Sequence, residues 1–399
     1  MSDVETAARP APKHRACDEG AVDLTVLIVN YNSARYTVDC VRDILDQDFE
    51  GKLGGTRQIV VIENKSPNDD LSLLEPLKDW GVEVVHNPVN NGYAGGNNLG
   101  LERAHGEYLL VINPDVRMPQ GTLEKMLAFL RGRDDVAAVS PRTYLDDHFE
   151  MMLPPNVLPT LKSHAREVAC HLFESAQRRF SLARTKDSLK YWTAREPIEA
   201  PMLTGCCMLM RRDLPEKIGG LFDEGFPLYY EDTDFFQRAR QKGFKLYYLC
   251  DVDLVHYFNR SAATVFNEAM GRYYRAQSYY YRKHFGALGY RVYKGLNLCL
   301  AFGPKIGIGP PKFTSVIDLG VLRDEPPTFE CGVESDRLLW EITTDPFFFL
   351  AAAMFGPGPE FRISDAAWSF VTMGEFYVRA IRPEPLEILR TWKFRRETE

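Results

Sequence analysis

Residues 108–115 read Tyr-Leu-Leu-Val-Ile-Asn-Pro-Asp, an apolar run that ends in a polar turn. The run from Tyr108 to Ile112 predicts a buried β-strand. Pro114 ends this strand because proline has a fixed φ and no backbone N–H for a sheet ladder. Open α/β sheets bind ligands at the carboxyl ends of their strands. The sequence therefore predicts that Asp115 stands at a ligand site, although the same turn also fits a purely structural role.

Three further apolar runs predict neighbouring strands, at Leu24 to Val29, Gln58 to Ile62 and Val82 to Val85. They are rich in β-branched residues and lack polar alternation, which is typical of strands covered on both faces. Between the first two, residues 34–49 show helical spacing of apolar side chains, with Ser33 as a candidate N-cap. A strand–helix–strand unit implies a right-handed crossover. The N-terminal half is therefore predicted to have an α/β fold, with a mostly parallel central sheet flanked by helices.

The overall composition is that of a globular protein without a basic surface. The 399 residues are 45% hydrophobic and 26% charged, with a formal net charge of -7 at pH 7. Such a chain offers no positive field for nucleic acid, so no nucleic-acid partner is expected. The eight cysteines include no CxxC pair, and Cys206 and Cys207 are adjacent, so we expect buried, reduced thiols and a cytoplasmic protein. No uncharged apolar run reaches the roughly 18 residues that a membrane-spanning helix requires.

Polar side chains follow the predicted strands at the edge where one crevice would collect them. Besides Asn113 and Asp115, these are Asn30, Tyr31 and Asn32 after the first strand and Glu63 and Asn64 after the second. A glycine-rich segment, residues 90–98, lies between the third and fourth strands. Its glycines would allow backbone to approach a ligand, and its end opens a helix. It lacks the GxGxxG spacing and does not follow the first strand, which argues against a dinucleotide-binding Rossmann site.

A second polar cluster, Tyr-Tyr-Glu-Asp-Thr-Asp at residues 229–234, places three carboxylates at the start of a predicted helix. Acidic residues there complement the helix dipole, which is a structural role. A carboxylate held beside a crevice could also act as a general base. His256 follows another predicted strand, and it fits either a structural role or a contact with a metal or diphosphate.

The chain divides into four predicted parts: a disordered tail (1–21), the main α/β domain (22–262), an aromatic and basic amphipathic helical segment (263–310), and a mostly helical extension of unknown role (311–399). The main domain contains an insertion at 146–200, where the pattern breaks into prolines and a basic helical stretch. Tyrosines mixed with Arg and Lys after residue 263 suit either a membrane interface or a surface helix packed on the main domain. In the extension, residues 336–339 and 364–382 are expected to be helical.

Seven ordered blocks resemble the inverting family-2 glycosyltransferases of the GT-A fold, and within them the bacterial rhamnosyltransferase-like members. The resemblance covers about Leu24 to Lys283. It implies a GT-A fold in which 22–262 is the catalytic domain and 146–200 lies on the acceptor side. The blocks are VLIVNYN (26–32), IVVIENKSPND (59–69), NNGYAGGNNLG (90–100), INPDV (112–116), LTGCCMLMRRD (203–213), GGLFDEGFPLYYEDTDFFQRARQKGF (219–244) and VHYFNRS (255–261).

The resemblance implies a set of donor-binding residues. Asn30 and Tyr31 would lie against the base of a nucleotide-diphosphate sugar. Glu63, where relatives usually have Asp, would accept a hydrogen bond from a pyrimidine imide N–H. The rest of the implied set would lie along the ribose, sugar and diphosphate: Asn32, Asn64, Gly95, Asn97, Asn98, Asn113 and Arg260.

The same resemblance implies metal and catalytic residues. Asp115 would hold Mg²⁺ or Mn²⁺ on the diphosphate, because a hard cation prefers oxygen ligands. Asn113 replaces the first acid of the family's Asp-x-Asp motif, and His256 would contact the metal or the diphosphate. Asp232 would be the general base that deprotonates the acceptor hydroxyl. Two neighbouring carboxylates would orient it: Glu231 and Asp234.

The implied activity is that of an inverting hexosyltransferase in bacterial surface-polysaccharide assembly. Its donor would be dTDP-L-rhamnose or another nucleotide sugar such as a UDP-sugar, and its acceptor a glycan or polyprenyl-linked saccharide. The implied location is the cytoplasm, with a peripheral contact at the inner face of the cell membrane, and a homo-oligomer is compatible with the sequence. A degenerate glycosyltransferase serving as a scaffold is the alternative, favoured by Asn113 and Glu63. A sugar nucleotidyltransferase is disfavoured, because residues 30–33 form no glycine-rich, basic phosphate loop.

Overall fold

Two β-sheets organise the chain, a nine-stranded sheet within residues 24–256 and a five-stranded sheet within residues 316–396. The computed structural model describes residues 23–48, 55–68, 70–226, 228–257, 266–308 and 315–397. The predicted tail at 1–21 and the predicted donor residue Arg260 lie outside the described residues.

The larger sheet confirms the predicted α/β fold. Its strands are β1 Leu24–Asn30, β2 Arg57–Glu63, β3 Glu83–His86, β4 Tyr108–Ile112, β5 Val116–Arg117, β6 Val136–Tyr144, β7 Ile198–Glu199, β8 Cys207–Arg211 and β9 Lys245–His256. Their order is β3-β2-β1-β4-β8-β6-β9-β5, and β7 pairs with β9. The first four strands are parallel, whereas β8 is antiparallel to both β4 and β6. The carboxyl ends of β1, β2 and β4 therefore meet at one edge, as the sequence predicted.

Ten α-helices surround the sheets within the described ranges. Their bounds are α1 Ala34–Leu45, α2 Asp70–Leu74, α3 Gly92–Leu101, α4 Thr122–Leu130, α5 Leu161–Leu172, α6 Glu174–Trp192, α7 Leu214–Ile218, α8 Glu231–Gln241, α9 Phe266–Phe302 and α10 Asp365–Phe370. Short 3-10 turns follow α2 and α9, at Glu75–Trp80 and Gly303–Ile306.

Strand β1 is covered on both faces, which explains its unbroken apolar sequence. Val26 and Ile28 belong to the core cluster that also contains side chains of α1 and α4. Leu27 and Val29 belong to the opposite cluster, with side chains of α3 and α8. Successive side chains of a strand point to opposite faces, which accounts for the apolar run from Val26 to Val29. Thr25 and Asn30, on either side of that run, are buried polar residues whose side chains are hydrogen-bonded.

The glycine-rich segment forms helix α3, and two of its glycines pack on the sheet. A Cβ on Gly96 would lie 2.8 Å from Cγ1 of Val29, and a Cβ on Gly100 would lie 3.1 Å from Cδ2 of Leu27. Glycine at these positions lets the helix approach β1 more closely than a larger residue would. At these two positions the structure differs from the expectation that the glycines admit a ligand, because helix–sheet packing uses the space.

The insertion at 146–200 supplies α5 and α6, and α6 attaches the C-terminal sheet to the main domain. The hydroxyl of Thr185 in α6 donates to the carboxylate of Glu341 at 3.0 Å. Glu341 also forms an ion pair with Arg379, with Nε and Oε2 2.6 Å apart. All three side chains are buried. Because the buried charges are paired and further hydrogen-bonded, they fix the position of the sheet against the helix.

The prediction of a mostly helical extension is wrong for the described part of residues 311–399. The strands are β10 Val316–Leu322, β11 Thr328–Thr343, β12 Ala352–Arg362, β13 Gly374–Arg382 and β14 Glu387–Arg396, in the order β10-β14-β13-β11-β12. Residues 336–339 lie inside β11. Of residues 364–382, Asp365–Phe370 form the short helix α10 and Gly374–Arg382 form β13. Aromatic and β-branched residues such as Tyr377, Val378 and Ile381 favour extended backbone, and cross-strand pairing outweighs the helical spacing.

The aromatic and basic segment forms the long helix α9, with a kink at Gly286. Tyr280, Tyr281 and Tyr293 are buried, and the last two rings stack with centroids 4.5 Å apart. These tyrosines therefore pack on the main domain, which was one of the two expected roles. No helix in the described ranges combines the length and apolarity needed to cross a bilayer. The described cysteines are free thiols and are buried, except for Cys299 on α9.

Candidate active site

Asp115 and His256 meet at the edge of the larger sheet. Strand β5 follows Asp115 directly and pairs antiparallel with the end of β9, which places Val116 opposite His256. Oδ1 of Asp115 lies 3.3 Å from Nε2 of His256. The N–H of Tyr257 donates to the carbonyl of Asp115 at 3.1 Å. Both side chains are buried, so the fold holds a carboxylate and an imidazole face to face.

The surroundings of His256 favour its protonated form. Burial favours the neutral imidazole, but the neighbouring Cys206 and the hydrogen bond with Asp115 raise the pKa of His256 to about 10. The ring therefore carries a proton at neutral pH unless a metal ion replaces it, since a metal binds the neutral imidazole.

Tyr93, in helix α3, connects this pair to the rest of the site. Its hydroxyl donates to Oδ1 of Asn113 at 2.8 Å, and Nδ2 of Asn113 lies 3.5 Å from Nε2 of His256. Burial and the nearby carboxylates of Glu231 and Asp232 raise the pKa of Tyr93 well above its usual value. Tyr93 is thus hydrogen-bonded beside the Asp115–His256 pair and also lies near Glu231 and Asp232. It was not among the predicted site residues, although it stands inside the NNGYAGGNNLG block.

Glu231 and Asp232 form the second cluster, at the N-terminus of α8. Burial, together with the charge of Asp232, raises the pKa of Glu231, and burial also raises the pKa of Asp232. The N–H and hydroxyl of Thr233 donate to Oδ1 of Asp232 at 2.6 Å and 3.2 Å. Oε2 of Glu231 is buried and has no hydrogen-bond partner among the described residues. The negative charge of the pair is therefore better stabilised on Asp232, and a shared proton on Glu231.

Gly205 fixes the side chain of Asp232 in place. A Cβ on Gly205 would lie 2.4 Å from Oδ2 and 2.7 Å from Cβ of Asp232. The contact explains why a glycine stands in the Leu-Thr-Gly-Cys-Cys block, since a larger residue would displace the carboxylate. Spacing in the sequence could not reveal this contact, because the two residues are distant in the chain.

Two strained residues precede the acidic cluster. Tyr229 and Tyr230 have φ values of 68° and 72°, in the left-handed region that non-glycine residues seldom adopt. Nε2 of Gln277, in α9, donates to the hydroxyl of Tyr230 at 3.0 Å. The hydroxyl of Tyr273 lies 3.4 Å from the same oxygen. Helix α9 therefore holds the backbone turn from which Glu231 and Asp232 project.

Asp234 does not join the candidate catalytic cluster, contrary to the expectation that it would orient Asp232. It is fully buried and faces α9. Its carboxylate lies 2.7 Å from Nε of Arg238, 2.7 Å from Nζ of Lys283 and 2.8 Å from Nε2 of His284. Burial opposes ionisation, but these three partners lower the pKa of Asp234 to about 2. The sequence could not distinguish the two roles, because both place a carboxylate in the first turn of the helix.

Asn30 supports the loop after β1 and has no exposed surface. Its Nδ2 donates to Oδ2 of Asp70 at 3.0 Å, and its Oδ1 accepts from the hydroxyls of Ser33 and Thr37 at 3.1 Å and 2.7 Å. The side chain expected to lie against a base is therefore fully hydrogen-bonded within the protein. It positions its neighbour Tyr31, which is 38% exposed.

Glu63 and Asn64 are likewise buried and hold loops together. The carboxylate of Glu63 accepts from the N–H of Lys65 at 3.2 Å and from the N–H of Ser66 at 2.6 Å. Nδ2 of Asn64 donates to the carbonyl of Gly92 at 3.0 Å. The extra methylene of Glu63, relative to the usual Asp, turns the carboxylate back onto its own chain instead of toward a base.

The three donor residues expected on α3 are used differently from one another. A Cβ on Gly95 would lie 2.3 Å from Nδ2 of Asn91, so that side of the helix is filled. The side chain of Asn98 bonds to the backbone N–H and carbonyl of Phe222. Asn97 is 1% exposed, and its Oδ1 has no hydrogen-bond partner in the part of the chain that the structure describes. Oδ1 of Asn32 is also buried without a hydrogen-bond partner among the described residues. These two oxygens are therefore candidate acceptors for ligand hydroxyls.

The Asp115–His256 pair would offer a divalent cation one carboxylate oxygen and one imidazole nitrogen, which lie 3.3 Å apart. Across the described ranges, no group of three or more His, Cys, Asp and Glu side chains is arranged to hold a metal. An ion here would therefore take its remaining ligands from water and a bound diphosphate.

Comparison with known proteins agrees with this geometry. Residues 25–219 match the model of the family described as Glycosyl transferase family 2. The low-salt glycan biosynthesis hexosyltransferase Agl10 of Haloferax volcanii is 26% identical over 242 residues, which cover 59% of this chain and 67% of that protein. The putative teichuronic acid biosynthesis glycosyltransferase TuaG of Bacillus subtilis is 28% identical over 112 residues, which cover 28% of this chain and 42% of that protein.

Among solved structures, the mannosyltransferase PcManGT from Pyrobaculum calidifontis, in complex with GDP-Man and Mn²⁺, superposes with a TM-score of 0.43 at 17% identity. The superposition covers 76% of this chain and 74% of that chain.

The mixed sheet, with acidic residues at the carboxyl ends of its strands, defines a GT-A-type glycosyltransferase fold. The residues that match the Glycosyl transferase family 2 model, 25–219, contain nearly all of β1 and the whole of β2 to β8, together with Tyr93, Asp115 and Gly205. The acidic cluster on α8 and His256 lie beyond the matched residues, in the part of the sheet that completes the site.

Proposed function

We propose that the protein is an inverting hexosyltransferase that moves a sugar from a nucleotide-diphosphate donor to a hydroxyl of a glycan or polyprenyl-linked saccharide. One observation carries the proposal: Tyr93 connects the Asp115–His256 pair with the Glu231–Asp232 pair at one edge of the sheet. The first pair suits a cation bound to diphosphate, and the second suits a general base. Sugar transfer from such a donor uses both.

Asp232 would take the proton from the acceptor hydroxyl. The acceptor oxygen attacks the anomeric carbon from the face opposite the nucleoside diphosphate, so the glycosidic bond forms while the bond to the diphosphate oxygen breaks. The anomeric configuration is inverted. Glu231 would retain the proton that the two carboxyl groups share. Asp232 would therefore be ionised and able to accept the proton of the acceptor hydroxyl.

Asp115 and His256 would hold Mg²⁺ or Mn²⁺, which when bound supplies positive charge for the leaving diphosphate. Asn113 would keep the imidazole of His256 in position through the hydrogen bond that it accepts from Tyr93. Arg260 remains a predicted diphosphate contact.

For the donor we propose dTDP-L-rhamnose, with a UDP-sugar as the alternative. Tyr31, partly exposed at the end of β1, would lie on the pyrimidine base. The unpartnered oxygens of Asn32 and Asn97 would accept hydrogen bonds from ribose or sugar hydroxyls. Asn30, Glu63 and Asn64 would act as positioning residues that hold these loops.

We also propose that the enzyme works at the inner face of a membrane, through the second half of α9. Its membrane face consists of four exposed apolar side chains: Leu288, Val292, Leu298 and Phe302. Taken at 100° per residue, they lie within an arc of roughly 120°. Residues 287–308 contain two Lys and one Arg but no Asp or Glu. An apolar stripe flanked by cations suits a surface of anionic lipids.

A paired assay of donor hydrolysis and sugar transfer tests the enzymatic proposal. Wild-type protein with Mn²⁺ is expected to act on at least one pyrimidine-diphosphate sugar, and Asp232→Asn should lose on the order of a thousandfold in kcat. Asp187→Asn is the matched control, because its carboxylate is exposed and pairs with Lys190. Unchanged activity in Asp232→Asn would exclude this residue as the base.

The same assay addresses the second candidate, a degenerate glycosyltransferase that serves as a scaffold. Asn113 in place of an acid, and Glu63 turned onto its own chain, favour this candidate. It predicts no turnover by the wild type with any of a panel of nucleotide sugars and acceptors, with Mg²⁺ or Mn²⁺. Turnover that depends on Asp232 would exclude it.

A further inference from the structure

A cavity of about 380 Å³ lies between the main domain and the C-terminal sheet. Its walls come from β6, from the start of the 146–200 insertion, from the end of α6, and from β11 and β12. This volume falls within the roughly 300–1,000 Å³ that is typical of small-molecule sites. The residues assigned above to the donor, the metal and the base do not line it.

The cavity combines aromatic walls with two arginines. Its aromatic lining includes the rings of Tyr144, Phe149, Trp192 and Phe355. Such rings offer flat apolar surfaces on which the C–H face of a sugar ring can pack. The arginines, Arg142 and Arg337, add two positive charges.

Both guanidinium groups are held in place by the protein. Nη2 of Arg142 donates to the carbonyl of Ala194 at 3.0 Å, and its Nε lies 3.7 Å from Oδ1 of Asp253. The guanidinium carbon of Arg337 lies 4.2 Å above the centre of the Phe355 ring. A fixed guanidinium loses little entropy on binding a carboxylate or phosphate, and its planar fork matches such groups.

The acidic residue of the cavity is already engaged. Oε1 of Glu150 accepts a hydrogen bond from the hydroxyl of Ser364 at 2.9 Å. Asp253 offsets the charge of Arg142, and Glu150 remains a carboxylate, but Arg337 has no ion-pair partner among the described residues. A negatively charged ligand group is therefore favoured beside Arg337.

The cavity is adjacent to the candidate active site but separate from it. Arg142 and Tyr144 of β6 stand beside Asp253 and Val255 of β9, and His256 is the next residue. Because side chains alternate along a strand, His256 points to the opposite face of β9 from Val255. The two sites thus share one end of the sheet and occupy different faces of it.

A loop beside the cavity is attached to the strand that carries His256. The hydroxyl of Tyr257 donates to Oδ1 of Asp147 at 2.6 Å, and Asp147 precedes the cavity residues Phe149 and Glu150. The ring of Tyr257 also stacks on Phe370 of α10, with centroids 5.6 Å apart. A chain bound in the cavity would therefore be held close to the catalytic edge.

We propose that this cavity binds an acidic sugar unit of the acceptor glycan, remote from the hydroxyl that reacts. The identity of the ligand as a saccharide rests on the proposed glycosyltransferase function, whereas its negative charge rests on the guanidinium of Arg337, which is unpaired within the described part of the chain. The cavity would keep the acceptor bound while a donor molecule reacts and its nucleotide product is replaced. It would also distinguish acidic from neutral glycans.

Binding is tested with digalacturonic acid as the probe and cellobiose as the neutral comparison. Saturation-transfer NMR and the intrinsic tryptophan fluorescence, to which Trp192 contributes, report binding without any need for turnover. Digalacturonic acid is expected to bind at least on the order of tenfold more tightly than cellobiose, because hydrogen bonds to charged groups are the stronger ones. Equal binding of the two, or no binding of either, would overturn the proposal.

Two variants locate the binding in the cavity. Arg337→Gln removes an exposed guanidinium, and Phe149→Gly removes a half-exposed ring at a φ of 58°, which glycine adopts freely. Each should weaken binding of digalacturonic acid on the order of tenfold. Arg395→Gln is the matched control, because its side chain is 68% exposed and pairs with Glu397. Equal weakening by the control, or none by the two variants, would overturn the assignment.

Donor hydrolysis, measured on the same samples, separates this proposal from the proposed function. Both variants should hydrolyse the donor at the wild-type rate. If the wild-type protein binds the probe but hydrolyses no donor, the acidic-sugar site is supported and the enzymatic function is excluded. If it hydrolyses the donor but does not bind the probe, the enzymatic function is supported and the acidic-sugar site is excluded.

Discussion

The hydroxyl of Tyr93 and Oδ1 of Asn113 are 2.8 Å apart, and this hydrogen bond joins helix α3 to the turn after β4. Asn113 in turn lies beside His256. We therefore expect Tyr93→Phe to loosen the Asp115–His256 pair without unfolding the protein, because the ring remains in place. The expected loss in kcat/KM is about tenfold, the value of one buried hydrogen bond. Tyr274→Phe, at an exposed position of α9, is the control and should match the wild type.

Gly205→Ala should displace the proposed base. The new Cβ would stand 2.4 Å from Oδ2 of Asp232, and a shift of a catalytic group by about 1 Å can cost on the order of a hundredfold in rate. Steady-state kinetics should show this loss in kcat. For Gly271→Ala, where the nearest atom to the new Cβ is 3.6 Å away on a flexible arginine, kcat should stay within twofold of the wild type. A normal kcat in Gly205→Ala would show that the contact does not position Asp232.

The acidic limb of the pH profile of kcat should lie at a higher pH than a general base with the ordinary aspartate pKa would give. Asp232 must be ionised to accept a proton, and burial raises its pKa above that of an ordinary aspartate. Activity should therefore rise with pH through this raised pKa and fall away below it. Because Glu231 holds the shared proton and is neutral over this range, Glu231→Gln should leave the limb at the wild-type pH. A limb that moves to lower pH in Glu231→Gln would show that Glu231 is ionised while Asp232 titrates.

Asp234→Asn should destabilise the protein by about 3 kcal/mol, because it leaves the cations of Arg238 and Lys283 without their buried partner. Urea unfolding measures this change, and Asp187→Asn is the exposed control. The carboxyl of Asp234 has a lowered pKa of about 2. Its stabilising contribution is therefore present above the ordinary aspartate pKa near 4 and disappears as the pH falls from 4 to 2. The difference in stability between variant and wild type should shrink over that range.

Leu288→Glu and Phe302→Glu should each reduce co-sedimentation with vesicles that contain anionic lipid, since each places a charge on the membrane face of α9. Leu73→Glu, on the short helix α2, alters another exposed leucine and should leave co-sedimentation unchanged. Retention of both α9 variants on the vesicles would exclude this face as the membrane contact.

Local sequence predicted the elements whose signal is local. The apolar runs of β1 and β4 identified the parallel sheet, and Pro114 marked the end of β4, because each reflects backbone chemistry within a few residues. The approach of Asp115 to His256 followed from the family resemblance. In the structure it depends on the pairing of β5 with β9, which joins Val116 to His256, 140 positions apart in the chain.

Other features depend on contacts that sequence spacing does not encode. Asp234 and Asp232 are two residues apart in one acidic run, and only the position of α9 decides that Asp234 pairs with Lys283 and His284. The extension was expected to be helical because its apolar spacing was interpreted with the wrong period. Cross-strand partners that lie far along the chain, such as Trp340 and Ala380, determine its sheet.

The left-handed backbone at Tyr229 and Tyr230 costs about 1–2 kcal/mol at each residue, and α9 offsets this cost through its contacts with the Tyr230 hydroxyl. Helix α9 lies wholly beyond residues 25–219, which match the family model. The matched residues therefore do not include the helix that holds the proposed base in position. A version of the chain that ends at residue 262 would lack the α9 contacts that hold the turn before Glu231. Asp232 would then lose its fixed orientation.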